Sequence, residues 1–235
     1  FMFGTGGSAL VSKTMGEGDY EKANGYFSLI IYANLILGVI IAVLGFVFLE
    51  PIAKLLRAGD LLEDCLIYGR IIIIAVPFYM TQYAFQAFFV TANKPGLGLT
   101  VTVISGVTNM VLDALFMAVF KWGLIGAASA TAISQFVGGI IPLIYFFSKN
   151  NSLLRLGRTK FKMKVLLKTC GNGSSEVMTN VSMSLVNILY NVQLMKFAGN
   201  DGVAAYGVLM YVNMIFLSVY LGYSTGIAPV IGYNY

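Results

Sequence analysis

An acid and an amide lie one helical turn apart inside a long apolar segment. Asp113 is the single charged residue of segment 96–120, and Asn109 falls on the same helical face. An ionised acid at mid-bilayer costs about 2.5–3.5 kcal/mol on insertion scales, so such residues usually have a function. The Asn109 amide is in reach to donate to the carboxyl group, and the pair suits a proton or Na⁺, since hard cations prefer oxygen ligands. The alternative is structural, with a protonated Asp113 hydrogen-bonded between helices.

A second acid, Glu176, lies about two turns into segment 169–195. Polar residues continue along its face for nearly the full depth of the membrane: Asn172, Asn180, Ser184, Asn187 and Asn191. Lipid disfavours such a stripe, so it predicts the wall of a water-filled cavity. The alternative is helix–helix packing through Ser and Asn side chains.

A third polar group occupies segment 71–93. Tyr79, Gln82 and Gln86 share one helical face, and Phe78, Phe85 and Phe89 lie nearby. Aromatic rings and amides around a cavity suit an amphipathic ligand or a lipophilic cation. Ordinary packing of the aromatic rings explains the pattern equally well.

The elements that must position these residues are membrane helices. Of the 235 residues, 58% are hydrophobic and 11% are charged, against about 25% charged in soluble domains. Residues 1–12 predict one partial span, and six longer apolar runs predict full spans: 25–49, 71–93, 96–120, 122–147, 169–195 and 203–235. The fold class is therefore an all-α, polytopic helical bundle, because the runs are too long and continuous for a transmembrane barrel. The chain lacks an initiator Met and ends directly after an apolar run, so we expect an internal fragment of a longer protein.

Several classes of function are excluded or disfavoured by composition. There is no histidine, which excludes a Ser-His-Asp triad and an HExxH zinc site. Cys65 and Cys170 are too far apart for a disulfide framework or a metal cluster. We therefore expect no enzyme and no cofactor. The net charge of +5 comes from basic residues between apolar runs, which indicates orientation in a lipid bilayer rather than nucleic-acid binding.

The basic residues also predict the orientation. Loops 13–24, 94–96 and 148–168 hold ten Lys and Arg, whereas the other three loops hold five. The positive-inside rule places the richer loops in the cytoplasm. The long, basic loop 148–168 is predicted to be a linker between a bundle formed by residues 1–147 and another that starts at 169–235.

Short sequences along the whole chain resemble, in order, those of the multidrug and toxic compound extrusion (MATE) transporters, and in particular a bacterial branch that includes the staphylococcal exporters. They are GTGGSALVS at 4–12, GEGDYEKA at 16–23, NMVLD at 109–113, GAASAT at 126–131, GSSE at 173–176 and GVAAYG at 202–207.

The resemblance implies twelve helices in two six-helix lobes, of which this chain would hold helices 2 to 8. The rest of the same polypeptide would supply helix 1 and helices 9 to 12. It also implies H⁺- or Na⁺-coupled antiport that exports small organic cations across the bacterial cytoplasmic membrane. Asp113, Asn109 and Thr131 match the family's cation site in the N-terminal lobe, with Na⁺ possible at Asp113. Glu176 matches an acid of the C-terminal lobe.

Other functions stay open at this stage. A lipid-linked oligosaccharide flippase shares the helix layout, but those relatives usually line the cavity with Arg or Lys, and here all fifteen basic residues lie in loops or at helix ends. A seven-helix receptor has the right number of segments, although residues 1–12 are too short for a full span. A structural membrane subunit leaves Asp113 unexplained.

Overall fold

The computed structural model describes residues 1–55, 62–149 and 151–234, and it is helical over most of them. A π-helical turn over Ala114–Val119 directly follows the fourth of six α-helices. The α-helices are α1 (Met2–Gly16), α2 (Tyr20–Leu55), α3 (Leu62–Thr91), α4 (Pro95–Asp113), α5 (Gly123–Phe147) and α6 (Met163–Asn234). This confirms the predicted all-α fold class.

Among the described residues, five helical segments are long and apolar enough to cross a membrane: Tyr20–Lys54, Leu62–Thr91, Pro95–Val119, Gly123–Phe147 and Ala204–Asn234. They correspond to five of the six predicted full spans. The remaining one, 169–195, is continuous helix within α6. It does not count among the five because its asparagines and serines lower its mean hydropathy.

Helix α6 folds back on itself at Gly199. The backbone there has φ 63° and ψ −156°, a left-handed conformation that glycine adopts without steric cost. Both arms of α6 return to α1: Thr169 of the first arm packs against Gly6, and Tyr233 of the second arm packs against Gly16. The break therefore falls between the last two predicted spans, as their separation in sequence requires.

The core at the junction of α2, α3 and α5 is aromatic. The Phe27 ring lies 4.9 Å from that of Phe88 and 5.1 Å from that of Phe146, both edge to face. Phe85 stacks on Phe146 at 5.3 Å, and Phe89 is also buried in this cluster. Edge-to-face and offset pairs are the favoured aromatic geometries. Phe85 and Phe89, which also suited a cavity wall, are thus core residues.

Residues 151–162, here called the strap, connect α5 to α6 as ordered, non-helical chain. Leu154 and Leu156 are buried against the aromatic core, and the Leu156 N–H donates to the Phe146 carbonyl at 2.8 Å. Helix α6 begins at Met163, inside the predicted linker 148–168. The division of the chain into two lobes at this linker stays a prediction.

Three side chains of α2 hold the strap in place. The Arg155 N–H donates to Asn24 Oδ1 at 2.7 Å, and the Gly157 N–H donates to Ser28 Oγ at 3.0 Å. Tyr32 OH then donates to the Gly157 carbonyl at 3.1 Å. The connection between α5 and α6 is thereby fixed to the start of α2.

Candidate functional site

Asp113 occupies the junction between α4 and the π-helical turn. The α-helix ends at Asp113, and the wider turn Ala114–Val119 begins with the next residue. The Asp113 side chain is half-buried, and its Oδ1 atom is buried with no hydrogen-bond partner among the described residues. A buried carboxylate oxygen without a donor is costly, so it is a favourable place for a proton or a cation. Short π-helical turns are also frequent at functional sites.

Asn109 and Thr131 meet across the α4–α5 interface. Asn109 Nδ2 donates to Thr131 Oγ1 at 3.4 Å, and Asn109 lies one turn before Asp113. The structure thus brings together the amide and the hydroxyl that the resemblance grouped with Asp113. The expected hydrogen bond from Asn109 to Asp113 is not formed, because the amide turns towards α5 instead.

A series of polar contacts continues from this pair along α3, α4 and α5. Ser105 Oγ donates to the Ser134 carbonyl at 2.8 Å, and Gln82 Nε2 approaches Ser105 Oγ at 3.5 Å. Ser134 Oγ donates to the Thr131 carbonyl at 2.8 Å. We call this series, Gln82, Ser105, Ser134, Thr131 and Asn109, the polar ladder. Asp113 lies one turn beyond its end.

Two glycines of α5 allow α3 to come close to the polar ladder. A Cβ at Gly138 would collide with the amide group of Gln82. A Cβ at Gly139 would lie 2.7 Å from the backbone oxygen of Phe78. The close approach of α3 and α5 therefore depends on the absence of side chains at both positions.

Ser105 and Ser134 are site residues that the sequence analysis missed. Ser105, Asn109 and Asp113 are spaced by four residues, and this spacing was the available signal. Thr102, on the same broad face, is instead exposed and donates from Oγ1 to the Gly98 carbonyl of its own helix at 2.9 Å.

The three candidate cavity residues of α3 do not form one surface. Gln82 points towards α4 and α5, whereas Tyr79 is exposed and packs edge-on against Tyr83, with 4.7 Å between ring centroids. Gln86 is half-buried. Helix α3 packs against several other helices, so side chains on one face of α3 have different neighbours. A shared role in substrate binding stays a prediction.

On the first arm of α6, three polar residues of the predicted stripe bond to their own helix. Asn180 Nδ2 donates to the Glu176 carbonyl at 2.7 Å, Ser184 Oγ to the Asn180 carbonyl at 2.9 Å, and Asn191 Nδ2 to the Asn187 carbonyl at 2.9 Å. Asn172, Asn180, Ser184 and Asn191 are exposed, and Glu176 is half-exposed. The stripe is therefore a polar surface on the outside of this chain.

Asn187 differs from its neighbours because it contacts the second arm of α6. Its Oδ1 accepts a hydrogen bond from Tyr206 OH at 2.9 Å. The Tyr206 ring also stacks on Tyr190, with 5.4 Å between centroids and an interplanar angle of 11°. Tyr206 was not predicted, and this contact links the two arms at the level of the stripe.

The two membrane acids belong to different helix pairs. Asp113 lies on α4, which packs along α5, whereas Glu176 lies on the first arm of α6, which packs along α1. Gly173, one turn before Glu176, contacts the backbone of Met2. Any coupling between the two acids must therefore pass through other helices.

Comparison with known proteins shows which family the chain resembles. The MatE family model matches residues 1–115, which contain α1 to α4 with Asp113. The multidrug export protein MepA of Staphylococcus haemolyticus is 30% identical over 239 residues and aligns with the whole chain. The first half of the chain thus matches the MatE family, and the whole chain is similar to a MepA protein. These matches confirm the resemblance predicted from the short sequences.

Two further relatives also match the whole chain. MepA of Staphylococcus saprophyticus is 28% identical over 236 residues. The solved MATE multidrug transporter DinF-BH, in complex with R6G, superposes on 100% of the chain with a TM-score of 0.88 and 26% identity. The chain spans about half the length of these relatives, 52% of each MepA and 53% of DinF-BH.

Proposed function

We propose that this chain is part of a membrane antiporter that exports small organic cations in exchange for H⁺ or Na⁺. The observation that carries the proposal is the buried, unpartnered Oδ1 of Asp113 at the α–π junction. The multidrug transporters MepA and DinF-BH are relatives over the full length of the chain, which supports the same function. They favour neither a flippase nor a receptor.

The coupling site would consist of Asp113, Asn109 and Thr131. Because Asn109 uses Nδ2 to bond Thr131, its Oδ1 is oriented away from that bond and is a further possible oxygen ligand. A proton would neutralise the Asp113 carboxylate directly. Na⁺ would instead draw on the carboxylate together with the amide and hydroxyl oxygens, the ligand type that hard cations prefer.

Ion binding at Asp113 would change the balance between conformations. One elementary charge that moves down 100 mV is worth about 2.3 kcal/mol. A shift of a two-state equilibrium from 1:99 to 99:1 needs about 5.5 kcal/mol. Two or three charges, or one charge assisted by a concentration gradient, therefore supply most of the required free energy.

The substrate would bind between this chain and the remaining helices of the same polypeptide. The exposed residues Asn180, Ser184 and Asn191 would supply polar groups for a cavity wall, together with the partly buried Asn187, and Glu176 would supply a negative charge for a cation. Tyr79, Gln82 and Gln86 are candidates for the opposite wall. The protein would reside in the bacterial cytoplasmic membrane, with loops 13–24, 94–96 and 148–168 in the cytoplasm.

The test compares Asp113→Asn with Asp64→Asn in the natural full-length protein. The control removes the same charge from an exposed residue at the start of α3. Dye efflux is measured in membrane vesicles under an imposed H⁺ or Na⁺ gradient. We expect Asp113→Asn to insert normally but to lose gradient-driven efflux, and Asp64→Asn to retain it. Efflux at the wild-type rate in Asp113→Asn would contradict the proposal.

A further inference from the structure

A basic cavity lies where the strap docks beside the start of α2. It has a volume of about 520 Å³. Five basic side chains line it against two acids, Asp19 and Glu21. The basic residues are Lys22, Arg155, Arg158, Lys160 and Lys162.

A second cavity, of about 200 Å³, continues this surface towards α1. The two cavities share Lys22 and Tyr26, and the smaller one adds Lys13, Lys164 and Lys168 against one acid, Glu17. Eight of the chain's fifteen Lys and Arg thus line two adjoining cavities. An organic cation would be repelled here, so the surface is unsuited to the proposed transport substrate.

Most of this positive charge is not neutralised by the protein. Asp19 Oδ2 lies 3.9 Å from Lys22 Nζ. Within the described part of the chain, Arg158, Lys160 and Lys162 have no carboxylate within salt-bridge distance. Lys162 Nζ lies 5.6 Å from the centre of the Tyr26 ring, a contact that fixes the ammonium without neutralising it. The arrangement favours an anionic ligand.

The cavity lies at the start of an apolar helical segment. Its floor is formed by Asn24, Gly25 and Ser28, and the uncharged run 25–49 of α2 begins at Gly25. The hydrogen bonds from the strap to Asn24 and Ser28 hold the basic residues at this level. The charges are thus positioned by the fold at the edge of the apolar layer.

Exposed apolar side chains flank the basic residues. Phe161 is 70% exposed and lies between Lys160 and Lys162 in the sequence, and Leu167 is 65% exposed next to Lys168. Free phosphate would make no favourable contact with these apolar side chains. The acyl chains of a lipid would cover them, and aromatic rings are enriched at the membrane interface.

We propose that this cavity binds the phosphate group of an anionic phospholipid. Arg158, Lys160 and Lys162 would contact the phosphodiester, while Phe161 would enter the upper acyl region. Basic pockets between transmembrane helices on the cytoplasmic side are suited to anionic headgroups. The proposal does not depend on the transport function.

The test uses the natural full-length protein with phosphatidylglycerol and phosphatidylcholine in equal amounts, and native mass spectrometry counts the lipids retained. The variant replaces Arg158, Lys160 and Lys162 with Gln. A matched control replaces Lys54, Lys121 and Lys196, three basic residues that do not line the two cavities, with Gln. We expect selective retention of phosphatidylglycerol by the wild type and the control, with a loss of about fivefold for each charge removed from the cavity.

Three further measurements distinguish a lipid from free phosphate and do not depend on the triple variant. Phe161→Ser should weaken phosphatidylglycerol retention without a change in charge, and high salt should weaken it in the wild type. Equal retention of the two lipids by the wild type, or unchanged selectivity in the triple variant, would overturn the proposal. Displacement by millimolar inorganic phosphate together with no effect of Phe161→Ser would overturn it in favour of a free-phosphate site.

Discussion

The Nδ2 of Asn109 on α4 lies 3.4 Å from the Oγ1 of Thr131 on α5, one helical turn from the buried carboxylate of Asp113. This hydrogen bond ties the two helices together beside the point where α4 becomes π-helical. A change of charge at Asp113 would act next to this contact between α4 and α5. The first prediction therefore concerns Thr131.

Thr131→Val should weaken the coupling site, because valine has a similar shape but cannot accept the Asn109 hydrogen bond. One interhelical hydrogen bond in a membrane contributes about 0.6 kcal/mol on average, so we expect about a threefold rise in the ion concentration for half-maximal efflux. For Thr131→Ser, which keeps the hydroxyl group, the ion concentration for half-maximal efflux should stay close to that of the wild type.

The control for Thr131→Val is Thr102→Val, because Thr102 is exposed and bonds within its own helix. Efflux assays on full-length protein across a series of H⁺ and Na⁺ concentrations give the half-maximal values. Equal shifts in Thr131→Val and Thr102→Val would show that the α4–α5 contact has no special role.

The sequence located the two helices of this site but not all of their contacts. Asp113 stands out because a charge inside an apolar run has a high free-energy cost, whatever the fold. Ser105 and Ser134 do not stand out, because serine is tolerated in membrane helices and its partner lies on another helix. The bond from Asn109 to Thr131 rather than Asp113 depends on how closely α5 approaches, which helical periodicity does not specify.

Gly138→Ala and Gly139→Ala should differ in whether a second change can rescue them. Both add a methyl group to a close α3–α5 contact, and overpacking typically costs about 1–3 kcal/mol. At Gly138 the added Cβ meets the Gln82 amide, whereas at Gly139 it meets the Phe78 backbone. Adding Gln82→Ala should therefore restore the thermal stability of Gly138→Ala but not of Gly139→Ala. Rescue of both variants, or of neither, would contradict this account of the contact.

The predicted spans agree with the helices because long apolar runs leave helix as the default structure in lipid. The ends of the predicted spans agree less well with the ends of the helices. Helix α2 begins at Tyr20 rather than at residue 25, because polar residues continue the helix beyond the apolar run. The α-to-π change after Asp113 has no signal in composition, because Ala114–Val119 is as apolar as the helix before it. The docking of the strap was also missed, since Leu154 and Leu156 lie isolated in a basic loop.

Gly173→Ala should disrupt the contact between α1 and the first arm of α6. A Cβ at Gly173 would collide with the backbone of Met2, which cannot move aside as a flexible side chain would. Gly171→Ala is the matched control, because a Cβ there meets no atom within 4 Å. We expect the melting temperature to fall for Gly173→Ala and to stay the same or rise slightly for Gly171→Ala, since alanine favours helix. A similar fall for both would mean that the contact between Gly173 and Met2 does not account for the loss of stability.

Asn24→Ala should release the strap from α2. Asn24 Oδ1 accepts the Arg155 N–H at 2.7 Å, and loss of one such bond is worth about 1 kcal/mol, or about fivefold in the population of locally open strap. Trypsin cleavage after Arg158, Lys160 and Lys162 should accelerate by that factor under conditions in which opening is fast relative to cleavage. Asn24→Asp preserves an acceptor oxygen at the same position and should be cleaved at nearly the wild-type rate. Equal acceleration in Asn24→Asp and Asn24→Ala would show that the acceptor oxygen is not what holds the strap. Wild-type cleavage of both variants would show that the other strap contacts are sufficient.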